Sequence, residues 1–292
     1  MDRRHQHFNS RRRSRAVTHA RASSTKDIAR ILAESARSAL ASLVLTLGFA
    51  AAAIYVLNYS SVFDLARYRD AGPTIVSLLQ DSIPPDFSRW RNWTQPLLDT
   101  LAMSASGTVL AALAALAIAP LAARTTAPAL LRIIVSVGLN ALRSIPAVVW
   151  GIIFVAAVGF GPLPGTLALA CHSTGMLGKL YSETLEHVDP APGNALRSQG
   201  VSHLGVLRFS ILPQIMPRLV DVTLYRFEHN IHAATVMGLV GAGGLGLEIT
   251  TAFHLFEYRE AFALILTLLA MVTLINMLGA ALRAHLLGLD DD

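Results

Sequence analysis

Long apolar runs dominate the pattern of this 292-residue chain. Residues 100–123 and 261–282 contain no charged side chain, and each run exceeds the roughly 20 residues that cross a hydrocarbon core at a rise of about 1.5 Å per residue. A slightly shorter run covers residues 39–57. These three runs predict helices that span a membrane.

Polar residues interrupt the other apolar stretches, which predict three more spans. These spans are expected over 139–159, from about 165 to 179, and over 214–240. Arg143 would lie one turn inside the first of them and could extend its charge outward along its apolar stem. Pro146 either kinks that helix or stands just before its true start. The pattern therefore predicts an all-α, polytopic membrane helix bundle with about six transmembrane helices.

Charge is scarce and unevenly distributed. Only 15% of residues are charged and the mean hydropathy is +0.50, whereas about a quarter of the residues of a soluble domain are charged. Residues 1–37 nevertheless carry ten Lys and Arg against three Asp and Glu. This imbalance favours a basic, disordered cytoplasmic tail over 1–25 that orients the chain and contacts anionic membrane lipid. A transit peptide is the alternative, and a nucleic-acid arm is disfavoured beside a membrane body.

The charge pattern also divides the chain into parts. Residues 26–97 are expected to hold an interfacial helix, the first span and a polar outer loop. The remaining five spans occupy 98–285, and a polar connector with a short helix near 189–207 separates the fourth from the fifth. With six spans and a basic tail inside, both termini are expected on the cytoplasmic side.

Several kinds of chemistry have no motif in this sequence. It contains no Gly-x-x-x-x-Gly-Lys-Ser/Thr phosphate loop, no His-Glu-x-x-His and no Gly-x-Ser-x-Gly. The histidines in the apolar region are too scattered to indicate a metal site, and the single Cys171 excludes an internal disulfide. No catalytic residue, metal ligand or cofactor of its own is therefore expected for this chain.

The polar segment 189–213 has the pattern of two short helices around a break. Asp189-Pro190 opens it, Gly200 interrupts it, and Leu204, Leu207 and Ile211 form an apolar stripe. It is either an ordinary cytoplasmic connector or a lever that docks onto a motor protein and transmits its closure to the spans.

The fifth span carries an unusual number of polar side chains. Asp221, Tyr225, Glu228 and His232 recur at helical spacing, and ionisable groups at membrane depth normally face a bundle interior or a water path. They either pair structurally, within the chain or with a second copy, or line a pathway. In the second case Arg226 and His232 would present positive potential to an anion.

A glycine-rich run, 238–246, follows directly after these polar residues. They suit a gate or a helix break enclosed in protein, or else close packing of helices through small residues. His172 and Ser173 of the fourth span are two further polar residues, which act either as satisfied core groups or as contacts to a ligand.

Segment 189–213 resembles the coupling motif of permease subunits in binding-protein-dependent ABC importers. The runs 142–146, 172–181 and 224–231 resemble the phosphonate branch of that family, and the similarity covers roughly 95–285. The resemblance implies a type I ABC importer permease fold in a bacterial inner membrane. It also implies a homodimer, cytoplasmic ATPase subunits that bind ATP and Mg, and an extracytoplasmic phosphonate-binding protein.

The resemblance also assigns residues. The ATPase-coupling residues would be Asn194, Ala195, Leu196, Arg197, Gly200, Val201, Leu204, Leu207 and Pro213. The residues that line the translocation pathway or form its gate would be Arg143, His172, Ser173, Tyr225, Arg226, Glu228, His232, Gly238, Gly241, Gly243 and Gly244. The chain departs from the family at Asn194, where the motif usually begins with Glu, and at His232, where relatives often carry a basic residue.

The function expected is that of a membrane-spanning subunit that passes a phosphonate to the cytoplasm by alternating access. Phosphate, phosphite or another small solute such as methionine are alternative substrates within the same class. A membrane-embedded enzyme that uses Glu228 and the histidines of the fifth span is a competitor from another class. A lipid-binding scaffold built around the basic tail is a third.

Overall fold

The computed structural model describes residue 35 and residues 37–69 and 71–287. All regular elements in these ranges are helical. The chain divides into two compact units, Met1–Ile75 and Val76–Asp292. The predicted basic tail and most of the predicted interfacial helix lie outside the described residues.

The described part of the first unit is mainly one apolar helix. Helix α1 spans Arg37–Tyr59, and its most apolar window has no buried residue. A short helix, α2, covers Leu65–Tyr68, and α3 covers Ala71–Ser82 across the boundary between the units. The full exposure of α1 is compatible with a surface that faces lipid or another protein chain.

The second unit is a helical bundle that starts with a 3₁₀ turn at Trp90–Trp93. Its helices are α4 (Thr94–Ala122), α5 (Ala129–Ser144), α6 (Ala147–Val158), α7 (Pro162–Glu186), α8 (Pro190–Ser198), α9 (His203–Val206), α10 (Leu212–Gly238), α11 (Gly244–His254) and α12 (Tyr258–Leu287). A π-helical turn, Leu207–Ile211, joins α9 to α10.

Helices α4, α7 and α10 form the centre of the bundle. The first two run in the same direction, because Met103 lies against Gly165 near their beginnings and alanines of α4 pack on Leu177 and Tyr181 farther along. Helix α10 runs the opposite way. Small residues on α4, such as Ala111, let the backbones approach closely, which is how helices gain packing energy in a membrane.

The six predicted spans correspond to α1, α4, the pair α5–α6, α7, α10 and α12. Within the described residues, α1, α4 and α12 are each long and apolar enough to cross a membrane, and the α5–α6 pair qualifies only when it is counted as one span. Helices α7 and α10 have 25 and 27 residues, enough for a crossing, but they are more polar.

The third span, expected over 139–159 with either a kink or a new start at Pro146, is not one continuous helix. Helices α5 and α6 are separate and bend by 86° at the break. Pro146 lacks an N–H group and restricts the residue before it, so Ile145 is extended (φ −82°, ψ 120°) and α6 begins at Ala147. The alternative expectation, a new start at this proline, is the one that the structure shows.

An ion-pair cluster fixes the beginning of α12 to the segment before α4. Arg89 Nη1 lies 2.8 Å from Glu260 Oε2 and 3.2 Å from Glu257 Oε2, and Trp93 Nε1 donates to Glu260 Oε1. The hydrogen bond to Glu260 raises the pKa of Arg89 above its usual value. Nearby, the Ser88 amide donates to Asp86 and lowers the pKa of that carboxyl group.

Substitution of Gly107 by alanine tests the close packing of α4 on α7. A Cβ atom there would lie 2.8 Å from Leu169 Cβ and 3.2 Å from the Thr166 carbonyl oxygen. Overpacking of this kind costs about 1–3 kcal/mol, so we expect Gly107→Ala to lower the melting temperature of the purified chain in detergent. Gly138→Ala on α5 is the matched control, because a Cβ atom at Gly138 meets nothing within 4 Å. Equal melting temperatures for the two variants would contradict this packing.

Candidate functional site

The connector between α7 and α10 has a sharply defined backbone. Asp189 caps α8 by accepting a hydrogen bond from the Ala191 amide at 2.9 Å, and Pro190 occupies the first helical position. At its other end the Gly200 amide donates to Arg197 O, and the next amide, of Val201, donates to Leu196 O. This is a Schellman motif, and it requires the positive φ of Gly200, +79°.

Side-chain hydrogen bonds attach the connector to the bundle. Gln214, in the first turn of α10, accepts from the Asp189 amide and donates to the Ser210 carbonyl oxygen. The loop after α4 is held at the same end of the bundle, because the Arg124 amide donates to Glu186 Oε1 of α7. The ends of α4, α7 and α10 therefore position α8.

The connector presents much of its surface outward. Leu204 is 76% exposed and Leu207 is 42% exposed, although both are apolar. Of the other expected coupling residues, Asn194, Ala195, Arg197, Gly200 and Pro213 are exposed, and Leu196 and Val201 are half-buried. An ordered helix with exposed leucines beside it is a suitable surface for a protein partner.

A chain of hydrogen bonds crosses the apolar core between α4, α7 and α10. Ser173 of α7 donates to Asn230 Oδ1 at 3.0 Å, and Asn230 Nδ2 donates to Thr108 Oγ1 of α4 at 2.8 Å. Thr108 in turn donates to the Ser104 carbonyl oxygen of its own helix. Ser173 and Asn230 are completely buried, so each relies on the others in a region where an unsatisfied polar group costs several kcal/mol.

Arg226 lies at the end of this chain of hydrogen bonds. Its side chain is buried, with 4% exposed, and its Nε donates to Ser173 Oγ at 2.9 Å. Its Nη2 has no hydrogen-bond partner among the residues that the structure describes. Within the described residues, no carboxylate forms an ion pair with it: on the same helix Asp221 pairs with Arg218, and Glu228 pairs with Arg283.

Glu228 points towards α12. Its Oε1 lies 2.9 Å from Arg283 Nη1, and both side chains are mostly buried. Gly279, one turn before Arg283, makes room for the carboxylate, since a Cβ atom at Gly279 would collide with Glu228 Oε1. The structure therefore places Glu228 in a pair within one chain.

The opposite edge of α10 carries polar side chains that are exposed among the described residues of its unit. Tyr225 is 61% exposed, and His229 and His232 are also exposed. Asp221 and Glu228, which were expected on the same face, are half-buried instead. The central helix therefore has a packed face and a polar face that is open in the described part of the bundle.

The remaining candidates lie around α5 and α7. His172 Nδ1 donates to the Ile145 carbonyl oxygen at the α5–α6 break, at 3.0 Å. Arg143 is exposed in the last turn of α5, whose backbone packs on α7 at Gly175. Among the described residues, no group of three or more His, Cys, Asp or Glu side chains is arranged to hold a metal ion.

The glycine run is where α10 and α11 approach each other most closely. A Cβ atom at Gly246 would collide with the Thr235 carbonyl oxygen, and one at Gly238 would collide with the backbone of Gly246. Between them, Gly241, Gly243 and Gly244 all have positive φ. The segment is joined to α4 as well, because the Leu245 amide donates to Thr100 Oγ1 at 2.9 Å.

Thr100, Ser104 and Thr108 were not among the residues expected at the site. They recur every four residues in α4, and each hydroxyl donates to the carbonyl oxygen four residues earlier. The lone pairs of Thr100 and Thr108 then accept hydrogen bonds from α11 and α10. The spacing of four was a detectable signal, because it places all three on one helical face.

Comparison with known proteins decides the family. Residues 107–287 match the family model described as "Binding-protein-dependent transport system inner membrane component". This chain belongs to that family. The permease is 48% identical over 228 residues to the phosphite transport system permease protein PtxC of Stutzerimonas stutzeri, an alignment that covers 78% of this chain and 83% of the relative.

Two further relatives carry names that refer to phosphorus compounds. The phosphate-import permease protein PhnE of Mycolicibacterium smegmatis is 36% identical, over 75% of this chain and 41% of its own length. A putative cryptic phosphonate transport system permease protein, PhnE2 of Escherichia coli K12, is 41% identical over 41% of this chain and 98% of its own length.

Among solved structures, the permease is similar to a chain of the inward-facing MetNI methionine ABC transporter. The TM-score is 0.58 at 21% identity, and the match covers 66% of this chain and 95% of the other. This likeness shows the fold, which is that of a type I ABC importer permease. The predicted fold class and family are confirmed, and the chain is a multi-pass membrane subunit of a binding-protein-dependent importer.

Replacement of Asn230 by leucine tests the chain of hydrogen bonds between α4, α7 and α10. The variant would remove the acceptor of the Ser173 hydroxyl and the donor to the Thr108 hydroxyl, and a buried group left unsatisfied costs about 1–3 kcal/mol. We expect Asn230→Leu to lower the melting temperature of the purified permease markedly. Asn140→Leu on the exposed face of α5 is the control. If Asn230→Leu melts at the same temperature as this control, the chain of hydrogen bonds contributes little to the stability of the permease.

Proposed function

We propose that this permease passes a small phosphorus oxyanion, a phosphonate or phosphite, and that Arg226 contacts the anion during passage. The observation that carries the proposal is the buried guanidinium with a free Nη2 and no carboxylate partner. A cation is not normally buried unpaired. An oxyanion that arrives during transport would supply the missing partner through charge-assisted hydrogen bonds. The names of the relatives support phosphorus as the central atom.

The polar face of α10 supports a homodimer in which the pathway lies between two copies. Tyr225, His229 and His232 would be costly against lipid. A second copy facing them would enclose a water-filled path, with Arg226 one turn or less from each of Tyr225 and His229 along the helix. The close packing at Gly238 and Gly246 suits a gate at the end of that path.

The connector supports docking of an ATPase subunit that binds ATP and Mg. In this arrangement α8 and the exposed Leu204 and Leu207 enter a groove on the ATPase, and its closure moves the ends of α7 and α10 through Asp189 and Gln214. Because the proposed ATPase is cytoplasmic, the connector and both termini would lie on the cytoplasmic side. The bundle end at Arg89 and Glu260 then faces an extracytoplasmic binding protein that delivers the anion.

Arg226→Met separates a transport role from a structural one. Methionine is apolar and of similar length, so it removes an unpaired buried charge; apolar replacement of buried charged groups is often neutral or stabilising. We expect a melting temperature equal to or above that of the unaltered permease. Uptake of radiolabelled methylphosphonate or phosphite by the assembled transporter should fall by about tenfold or more, because a desolvated charged hydrogen bond contributes about 1.5–3 kcal/mol.

Arg218→Ala is the control for that experiment, since Arg218 is an exposed arginine on the same helix. Normal uptake by Arg226→Met would show that Arg226 does not contact the anion, and a lower melting temperature would contradict the prediction that its buried charge is unpaired.

Gly200→Val tests the docking of the ATPase. A β-branched residue at φ +79° is strained by about 1–2 kcal/mol and would open the Schellman motif that orients Leu204. We expect normal membrane insertion of the variant but loss of most of the ATPase that co-purifies with it. Gly200→Asn is the matched control, because asparagine tolerates the left-handed conformation. Equal recovery of ATPase with both variants would refute this docking site.

A further inference from the structure

A cavity of about 280 Å³ lies between α8, the end of α7, the π-helical turn and the loop after α4. Four aliphatic residues in its lining are called its aliphatic wall: Leu185, Val188, Val206 and Ile211. The polar residues of the lining include Thr125, Asp189, Asn194, Arg197 and Ser210. Asn194 and Arg197 are also exposed on the connector, whereas Ser210 is neither on its outward surface nor in the translocation pathway.

Ser210 is the feature that indicates a ligand. The residue lines the cavity and is buried, with 3% exposed, and its Oγ has no hydrogen-bond partner among the described residues. Ser144, by contrast, donates to the carbonyl oxygen four residues earlier. Ser210 lies in the π-helical turn, where the backbone bond from the Leu212 amide runs to Leu207 O. Such turns occur frequently at functional sites.

The donors in the cavity are side chains. The start of α8 contributes none of its own, since Pro190 and Pro192 lack an N–H group and the Ala191 amide is bonded to Asp189 Oδ1. The hydroxyls of Ser210 and Thr125, the Asn194 amide and the Arg197 guanidinium remain. Donors of this kind, with one cation among them, match the oxygens of a small oxyanion.

We propose that this cavity binds a small phosphorus oxyanion with an apolar substituent, such as methylphosphonate. The oxygens contact Arg197 and Ser210, and the methyl group lies against the aliphatic wall. The choice of phosphorus rests on the proposed function, whereas the cavity and its free hydroxyl do not. A bound ligand would link α8 to the bundle, so solute that accumulates on the connector's side of the membrane would slow its own import.

Binding can be measured by equilibrium dialysis of radiolabelled methylphosphonate against the full-length permease, assembled with its ATPase in nanodiscs of neutral phosphatidylcholine. We expect saturable binding that is about fourfold tighter than binding of orthophosphate, because methylphosphonate buries a methyl group where orthophosphate has an oxygen. Hydrogen exchange of residues 189–213 should slow when the ligand is present.

Three variants locate the ligand. Ser210→Val removes the hydroxyl and puts methyl groups in its place, so binding should weaken by about tenfold. Thr125→Val removes a rim hydroxyl from an exposed position and should weaken binding less; it decides the question if Ser210→Val does not fold. Ser198→Ala is the control, because the Ser198 hydroxyl donates to Ala195 O and does not line the cavity.

The proposal is overturned if Thr125→Val and Ser210→Val bind as the unaltered permease does, which would mean that water fills the cavity. It is also overturned if Arg226→Met abolishes all binding, because the ligand would then lie in the pathway. Slowed exchange that requires added phosphatidylglycerol instead of methylphosphonate would assign the cavity to a lipid headgroup. None of these outcomes bears on transport through Arg226, which the uptake experiment measures separately.

Discussion

The bundle depends on one buried chain of hydrogen bonds in an otherwise apolar core. A membrane offers no water to Ser173, Asn230 and Thr108, so each of their polar groups must be satisfied by a neighbouring helix. The side-chain amide of Asn230 can meet this requirement only where α4, α7 and α10 come together in one relative position. This chain of hydrogen bonds therefore fixes the register of three helices that apolar packing alone would leave free to slide.

Small residues let the helices come close enough to form that chain of hydrogen bonds. Gly107 lies next to Thr108 and lets α4 approach α7, and the glycines at the end of α10 do the same for α11. The Thr100 hydroxyl can then reach the Leu245 amide, which connects the glycine segment to the same helix that holds Asn230. Among the described side chains that this chain of hydrogen bonds joins, Arg226 keeps an unused donor. The protein retains a buried cation at a cost to its stability, which is typical of residues kept for function.

Much of this organisation follows from the sequence. Charge-free runs predict α4 and α12 because nothing else explains 20 apolar residues in a row. The break at Gly200 follows from the left-handed backbone that ends a helix. Pro146 carried an ambiguous signal, since a proline can either kink a helix or begin one, and the 86° bend shows the second case. The hydroxyl face of α4 was overlooked because serine and threonine interrupt an apolar run only weakly.

Other features could not be read from the sequence. The Glu228–Arg283 pair joins residues 55 positions apart, and no local pattern specifies which of several polar residues in α10 turns towards α12. The same holds for the free Nη2 of Arg226 and the unpartnered hydroxyl of Ser210, which exist only because particular helices surround them. Sequence patterns identify the polar residues, whereas packing determines which ones retain free donors.

The measurement that tests the central claim most directly is ATP hydrolysis by the assembled transporter in proteoliposomes. The binding protein would be added without ligand or loaded with methylphosphonate, phosphite, phosphate or methionine. Stimulation by a phosphonate- or phosphite-loaded binding protein, and none by methionine, is the predicted result. Stimulation by methionine alone, or none by any phosphorus oxyanion with an assembled complex, would contradict the account of a phosphorus oxyanion importer.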